Sequence, residues 1–234
     1  MVDLSVIIPA HNEQKTLPAS VRSVRDAAEA CGLACEIIVV NDASTDQTAR
    51  TARALDAVVL DVNHRNISRV RNAGAAVAKA PVLCFLDADS HLPAATLAAG
   101  LAALRRGCVA CGPCLRFDEQ ATAKQGAGLE RWNRAARRRN WLAATCIFVS
   151  RDPFETSGGF DERYLAMNGV KLARRLKRLG RVELLDEPII TSSRKLRLHG
   201  VARIRRAWLR YLLTGGLAAR FRWGMGYLYD GRRE

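Results

Sequence analysis

A chain of 234 residues is long enough to bury about 70–75% of the surface its unfolded form exposes. An apolar share of 49% beside 26% charged residues excludes disorder as the main state, and no apolar run approaches the ~18 residues that cross a bilayer. Lys and Arg outnumber Asp and Glu by 37 to 23, a net charge of +14. That excess points to nucleic acid, an anionic membrane face or a phosphorylated substrate, without choosing among them.

Leu4 to Ile8 is β-branched and apolar, which predicts a buried strand of the parallel type, ended by Pro9. Thr16 to Ala30 places Leu17, Val21 and Val24 on one helical face. Glu36 to Val40 is a second buried strand, running into the polar stretch Asn41 to Asp46, from which Ser44 or Asp46 could cap a helix over Thr48 to Leu55. A third strand over Ala57 to Asp61, an alanine-rich helix over Ser68 to Lys79 and a fourth strand over Val82 to Leu86 complete the first half. Strands and helices alternating at about 30 residues per unit predict right-handed crossovers and a parallel sheet. No G-x-G-x-x-G follows an early strand, so the dinucleotide fingerprint is missing.

Beyond Pro93 the pattern predicts a helix over Ala94 to Arg105, then Cys108, Cys111 and Cys114 in a strand-like run. Their C-x2-C-x2-C spacing suits a metal cluster, but without a nearby fourth ligand the reading is buried structural thiols. Gln125 to Arg139 is a basic helix, Trp141 to Ser150 a strand, and Pro153 to Ser157 a short helix before the loop Gly158 to Glu162. Lys171 to Leu179 is a basic helix closed by Gly180, with extended pieces at Val182 to Leu185 and Pro188 to Thr191. From Val201 to Leu228, arginines mix with Trp208, Tyr211, Phe221 and Trp223, as in helices that lie on membranes or dock on a partner. Seven cysteines, an odd number, with no signal peptide ahead of the first strand, predict a reducing compartment. The expected location is cytoplasmic, peripheral on the inner face of the membrane.

Three strands end on ligand-suited residues: Glu13, Asp42, and the pair Asp87 and Asp89. Taken alone, D-x-D is an acidic turn. At the carboxyl end of a parallel strand, where such sheets gather ligands, two carboxylates one residue apart can hold a hard cation shared with a phosphate.

These stretches together resemble the inverting nucleotide-sugar glycosyltransferases of family 2. The resemblance runs through SVIIPAHNE (Ser5 to Glu13), IIVVNDASTDQT (Ile37 to Thr48), SRVRNAGAAVAKA (Ser68 to Ala80), FLDADSHLP (Phe85 to Pro93) and FETSGGFDERY (Phe154 to Tyr164). It implies a GT-A fold: an α/β chain with a mostly parallel, Rossmann-like sheet flanked by helices. Residues 1–92 would form a nucleotide-binding half and 93–200 an acceptor-side half, with 201–234 a basic aromatic tail. Pro9, Ala10, His11 and Glu13 would cradle base and ribose, and Asp42 would hydrogen-bond the base. Arg71 and Asn72 would approach the nucleotide and diphosphate. Asp87, Ala88 and Asp89 match the family D-x-D, whose second carboxylate holds Mn2+ or Mg2+ against the diphosphate. Arg194 and Lys195 would help neutralise it, and His199 is a weaker candidate ligand. The implied donor is a UDP- or GDP-sugar, and the acceptor a hydroxyl on a lipid-linked or polysaccharide substrate.

One departure stands out. Where the family carries Glu-Asp or Glu-Glu, the second acid being the general base, this chain has Asn168-Gly169. Neither can take a proton at neutral pH, and losing a base costs about 10²–10⁴ in rate. Asp161 or Glu162 could serve instead, the acceptor could be acidic enough to need little help, or the chain could bind a nucleotide sugar without transferring it. Restoring the acids, Asn168→Glu with Gly169→Asp, would expose the last case. Glycine at 169 would also weaken its helix by about 0.5–1 kcal/mol relative to alanine. A nucleic-acid-binding protein is the remaining reading, resting on charge alone, with no motif for specific recognition.

Overall fold

The computed structural model describes residues 2–199 together with 206, 213 and 214. Strand β1 (Leu4–Ala10) is buried along its whole length, as expected of a strand covered on both faces. Its side chains alternate with period two: Leu4, Val6, Ile8 and Ala10 enter one apolar core and Ile7 the other. The same division holds in β2 (Cys35–Asp42) and β4 (Val82–Leu86), where Ile37, Val39, Cys84 and Leu86 face the first core and Ile38, Val40, Leu83 and Phe85 the second. Helix α1 (Leu17–Ala30) and helix α2 (Thr48–Ala54) cover the first face, through Leu17, Val21, Val24 and Ala52. Helix α3 (Ile67–Val77), which starts where the Asn66 side chain accepts from the Ser68 and Arg69 amides, covers the second with Val70 and Ala75.

With β3 (Val58–Val62) at the edge, the strand order is β3-β2-β1-β4 and all three pairings are parallel. The chain lays β2 and β3 on one side of β1 and β4 on the other. The order reverses at β1, so the loops leaving β1 and β4 diverge and a crevice opens between their carboxyl ends.

The second half comprises β5 (Ser90–His91), α4 (Ala94–Arg105), β6 (Cys108–Phe117), α5 (Ala123–Arg139), β7 (Cys146–Ser150), α6 (Arg151–Thr156), α7 (Asn168–Leu176), β8 (Arg181–Thr191) and α8 (Arg194–His199). It continues the sheet as β4-β7-β6-β8-β5. Here β7 is antiparallel to both β4 and β6, β8 is parallel to β6, and β5 is antiparallel to β8. The described sheet is therefore mixed, with its parallel half carrying the crevice.

Several expectations are corrected. Pro9 does not end β1: pairing with β4 stops at Ile7, while pairing with β2 runs on to Ala10, so the missing proline N–H falls beyond the β4 ladder. The strand expected from Trp141 begins only at Cys146. The helix expected over Lys171 to Leu179 begins at Asn168 and ends at Leu176. The pieces Val182 to Leu185 and Pro188 to Thr191 are one strand, joined across an irregularity in the pairing with β6. Cys108, Cys111 and Cys114 lie on β6 and turn to Glu183, the Gly100 carbonyl and the Asp186 carbonyl respectively. They do not converge, and among the described residues no group of three His, Cys, Asp or Glu could hold a metal. The tail from 201 and the side chains of Lys195 and His199 lie outside the described residues, apart from 206, 213 and 214. No described helix is long and apolar enough to cross a membrane.

Candidate active site

The crevice at the ends of β1 and β4 is bridged by one guanidinium. Arg194, at the start of α8, donates from Nη2 to both oxygens of Glu13 at 2.8 Å. The same nitrogen lies 3.4 Å from Asp89 Oδ2. Glu13 follows β1, Asp89 follows β4, and all three side chains are more than nine-tenths buried. Buried charges persist only when paired, so Arg194 holds two acids that would otherwise repel across the cleft. The loop before Arg194 is fixed by Asp118, which accepts from the Ser192 and Ser193 hydroxyls and the Ser193 amide.

The first aspartate of the pair has its own arginine. Arg71, on α3, donates to Asp87 Oδ1 at 2.6 Å and to the Ala144 carbonyl at 2.9 Å. Its guanidinium carbon lies 5.3 Å from the Phe160 ring centroid, within cation–π range. Phe160 in turn packs edge-on against Phe85 of β4 at 4.8 Å between centroids. Asp87 also donates its backbone amide to the Thr145 carbonyl. The segment 141–145, expected to be strand, is instead a loop that backs the D-x-D turn.

On the far side of β1, Asp42 accepts from the His64 and Arg65 amides at 2.7 and 3.0 Å, and its carbonyl meets His11 Nδ1 at 2.7 Å. Asp42 thereby ties the end of β2 to the β3–α3 loop and to the loop after β1. Its neighbour Asn41 donates to Asp61, while Asn41 Oδ1 is buried with no hydrogen-bond partner among the described residues.

Asn72, beside Arg71 on α3, is engaged by the loop that follows α6. Its Oδ1 accepts from the Phe160 amide, and its Nδ2 donates to the Phe160 carbonyl and to Glu162 Oε1. It pins the loop that the left-handed pair Gly158 (φ 76°) and Gly159 (φ 63°) folds back onto α3. The substitute bases suggested for that loop are both ion-paired. Asp161 accepts from Arg163 Nε and Nη2 at 2.9 and 2.7 Å, and these bonds lower its pKa to about 2. Glu162 lies 3.2 Å from Arg69 Nε.

Asn168 and Gly169 open α7 behind segment 141–145. Asn168 is buried, and its Nδ2 donates to Ser68 Oγ at 2.6 Å. A Cβ on Gly169 would lie 2.5 Å from the Leu142 carbonyl oxygen, 2.6 Å from the Ala144 nitrogen and 3.0 Å from the Ala143 carbonyl carbon. Those are backbone atoms with nowhere to go. Gly169 is therefore required by close approach, which corrects the expectation that it merely weakens its helix. Restoring an acid there would force the backbone apart.

The profile of the family described as Glycosyl transferase family 2 matches residues 5–156, well over half of the chain. The chain belongs to glycosyl transferase family 2. Relatives of this family 2 chain include a 4,4'-diaponeurosporenoate glycosyltransferase of Staphylococcus haemolyticus, 36% identical over 96 residues, 38% of this chain and 24% of the relative. An undecaprenyl-phosphate 4-deoxy-4-formamido-L-arabinose transferase of Pseudomonas paraeruginosa is 34% identical over 101 residues, 39% of this chain and 30% of the relative. The matches thus span less than a third of those relatives. Among solved structures, the mannosyltransferase PcManGT from Pyrobaculum calidifontis, in complex with GDP-Man and Mn2+, superposes with a TM-score of 0.71 at 20% identity, covering 99% of this chain and 65% of that one. S. aureus TarS 1-349 in complex with UDP-GlcNAc gives 0.64 at 17% identity, covering 87% and 65%. The fold is GT-A.

Proposed function

We propose that the chain transfers a sugar from a nucleoside diphosphate sugar to an oxygen acceptor, with inversion at the anomeric carbon. The observation that carries this is the Glu13–Arg194–Asp89 bridge, which draws the loops after β1 and β4 together at the sheet's reversal point. Base and ribose would lie at the β1–β2 side, towards Pro9, Ala10, His11 and Asp42. The diphosphate would lie at the β4 side, towards Asp87, Asp89, Arg71 and Arg194.

The donor set fits a hard cation. Mg2+ and Mn2+ take carboxylate oxygens and commonly rest on one or two of them, completing their shell with substrate phosphates. Asp89, with Asp87, would hold such an ion, which would stabilise negative charge on the departing diphosphate. A guanidinium matches phosphate as well as carboxylate, so Arg71 and Arg194, now paired with those carboxylates, would also serve the phosphates of a bound donor. Support for a cation comes from a structural relative bound to Mn2+ and GDP-Man.

Two relatives are named for 4,4'-diaponeurosporenoate and for undecaprenyl phosphate. An acceptor held at a membrane surface agrees with these names and with the net charge of +14. UDP- and GDP-sugars supplied with Mn2+ test the reading through release of the nucleoside diphosphate. The expected result is release from donors of one base, abolished by EDTA. No release and no binding of either nucleotide would overturn it.

A further inference from the structure

We propose that the outer faces of α5 and α7 form one cationic surface that docks on a membrane of anionic phospholipids. The proposal goes beyond the transfer reading above and is independent of it, since docking needs neither nucleotide nor Mn2+.

The excess charge is not spread evenly along the chain. Residues 131–151 and 163–182 hold 13 Lys and Arg and no Asp or Glu, whereas residues 1–130 hold 13 Lys and Arg against 14 Asp and Glu. The two basic segments contain the second half of α5 and all of α7. Both helices cover the second core, α5 through Ala136 and α7 through Leu172, Ala173 and Leu176, so they lie on the same face of the sheet. Their carboxyl ends meet where Lys177 Nζ donates to the Arg139 carbonyl.

Along α5, Lys124, Arg131, Arg134 and Arg138 are exposed. Their spacing puts them on one side of the helix, opposite the buried Asn133 and Ala136. At 1.5 Å per residue the strip is about 21 Å long. Glu130 is the one acid of the helix. Exposed Arg174, Lys177 and Arg178 continue the charge at the end of α7. Among the described residues, the ion pairs of the two basic segments are made by Arg137, Arg151, Arg163 and Arg181, which leaves the strip itself without a carboxylate partner. Like charges three and four positions apart destabilise a helix, and an anionic surface removes that cost.

The shape of the charge selects the partner. A small anion is held by donors that converge on it, while an extended strip meets many headgroups at once, each cation adding attraction. The aromatic residues separate a membrane from nucleic acid. Bases bind basic proteins by stacking on open aromatic rings. Here the Arg139 guanidinium carbon lies 5.0 Å from the Trp141 ring centroid, and the Trp132 centroid lies 5.8 Å from it, so these rings are engaged by protein groups. Half-buried tryptophans beside cations suit the headgroup region of a bilayer. The face also adjoins the crevice: α5 leads into segment 141–145 behind the D-x-D turn, and α7 opens against the same segment.

Sedimentation of the full chain with vesicles of phosphatidylcholine and phosphatidylglycerol, without nucleotide, tests the proposal on the wild type and two triple variants. One carries Arg131→Gln, Arg134→Gln and Arg138→Gln. The other carries Arg22→Gln, Arg50→Gln and Arg105→Gln, which removes equal charge from exposed positions on α1, α2 and α4. With each cation at an anionic surface strengthening binding about fivefold, the first triple is expected to bind about 10²-fold more weakly and the second less than about fivefold. Wild-type binding is expected to be absent on phosphatidylcholine alone and to vanish between about 0.1 and 1 M salt, as the screening length falls from about 10 to 3 Å. All six arginines are exposed, so both variants are expected to melt with the wild type. Equal losses in the two triples, an unaffected first triple, or no wild-type binding to the anionic vesicles would overturn the proposal. Tighter binding to polyuridylate RNA than to the vesicles at the same salt, lost in the first triple, would overturn it in favour of nucleic acid. Failure to bind any nucleotide would remove the transfer reading and leave this one standing.

Discussion

Arg194 concentrates the electrostatics of the crevice in one side chain. Arg194→Met would leave Glu13 and Asp89, both more than nine-tenths buried, without the guanidinium between them. Removing one partner of a buried ion pair costs about 3–5 kcal/mol. Urea unfolding at pH 7 is expected to show a loss of that order, and a loss below about 1 kcal/mol would mean the bridge is weak. Asp161 makes a different prediction. Its pKa is lowered to about 2 by Arg163, so its folded form binds a proton less readily than its unfolded form, near pKa 3.9. Its contribution is therefore complete above about pH 4 and lost as pH falls towards 2. Asp161→Asn is expected to flatten the fall in denaturation midpoint over that window, leaving the slope above pH 5 unchanged. An unaltered acid limb would mean the Arg163 pairing does not persist in solution.

At the scale of elements, α7 is seated by what it lacks. Gly169→Ala drives a methyl into the backbone of Leu142 to Ala144, and overpacking of this kind costs about 1–3 kcal/mol. Gly126, in α5, has nothing within 4 Å of an added Cβ, and there alanine should stabilise the helix by about 0.5–1 kcal/mol. Melting temperatures moving in opposite directions for the two variants would bear out the packing; a parallel shift would contradict it. This contrast marks the boundary of what the sequence reveals. Strands β1, β2 and β4 were legible from short runs that are mostly apolar, and α4 to the residue, because each is decided by local periodicity. The seating of Gly169 was not, because it depends on residues 25 or more positions away. Nor was Asp118, whose bonds to Ser192 and Ser193 follow from the pairing of β6 with β8. Helix α7 begins three residues before its first predicted position because Asn168, polar by type, is buried through its bond to Ser68. In the same way the bonds of Asn72 to Phe160 and Glu162 are contacts that only the folded loop creates.

For the whole molecule, the order of the strands decides where chemistry can occur. The reversal at β1 sets the D-x-D turn beside the loop after β1, and the antiparallel β7 carries segment 141–145 up behind it. Glu13, Asp42, Asp87 and Asp89 were legible as polar residues at strand ends, because strand ends can be read from runs of apolar residues. Asn168-Gly169 was legible only as a departure from the family pattern, and its packing against Leu142 to Ala144 needed the three-dimensional neighbours. The central claim is that the bridged crevice binds a nucleoside diphosphate through Asp89. Calorimetric titration of UDP and GDP in Mn2+, on the wild type and on Asp89→Asn, tests it most directly. The expected result is Mn2+-dependent binding of one of the two, weakened by at least about tenfold, or 1.4 kcal/mol, in the variant. Binding of neither, or binding equal in both proteins and indifferent to EDTA, would contradict it.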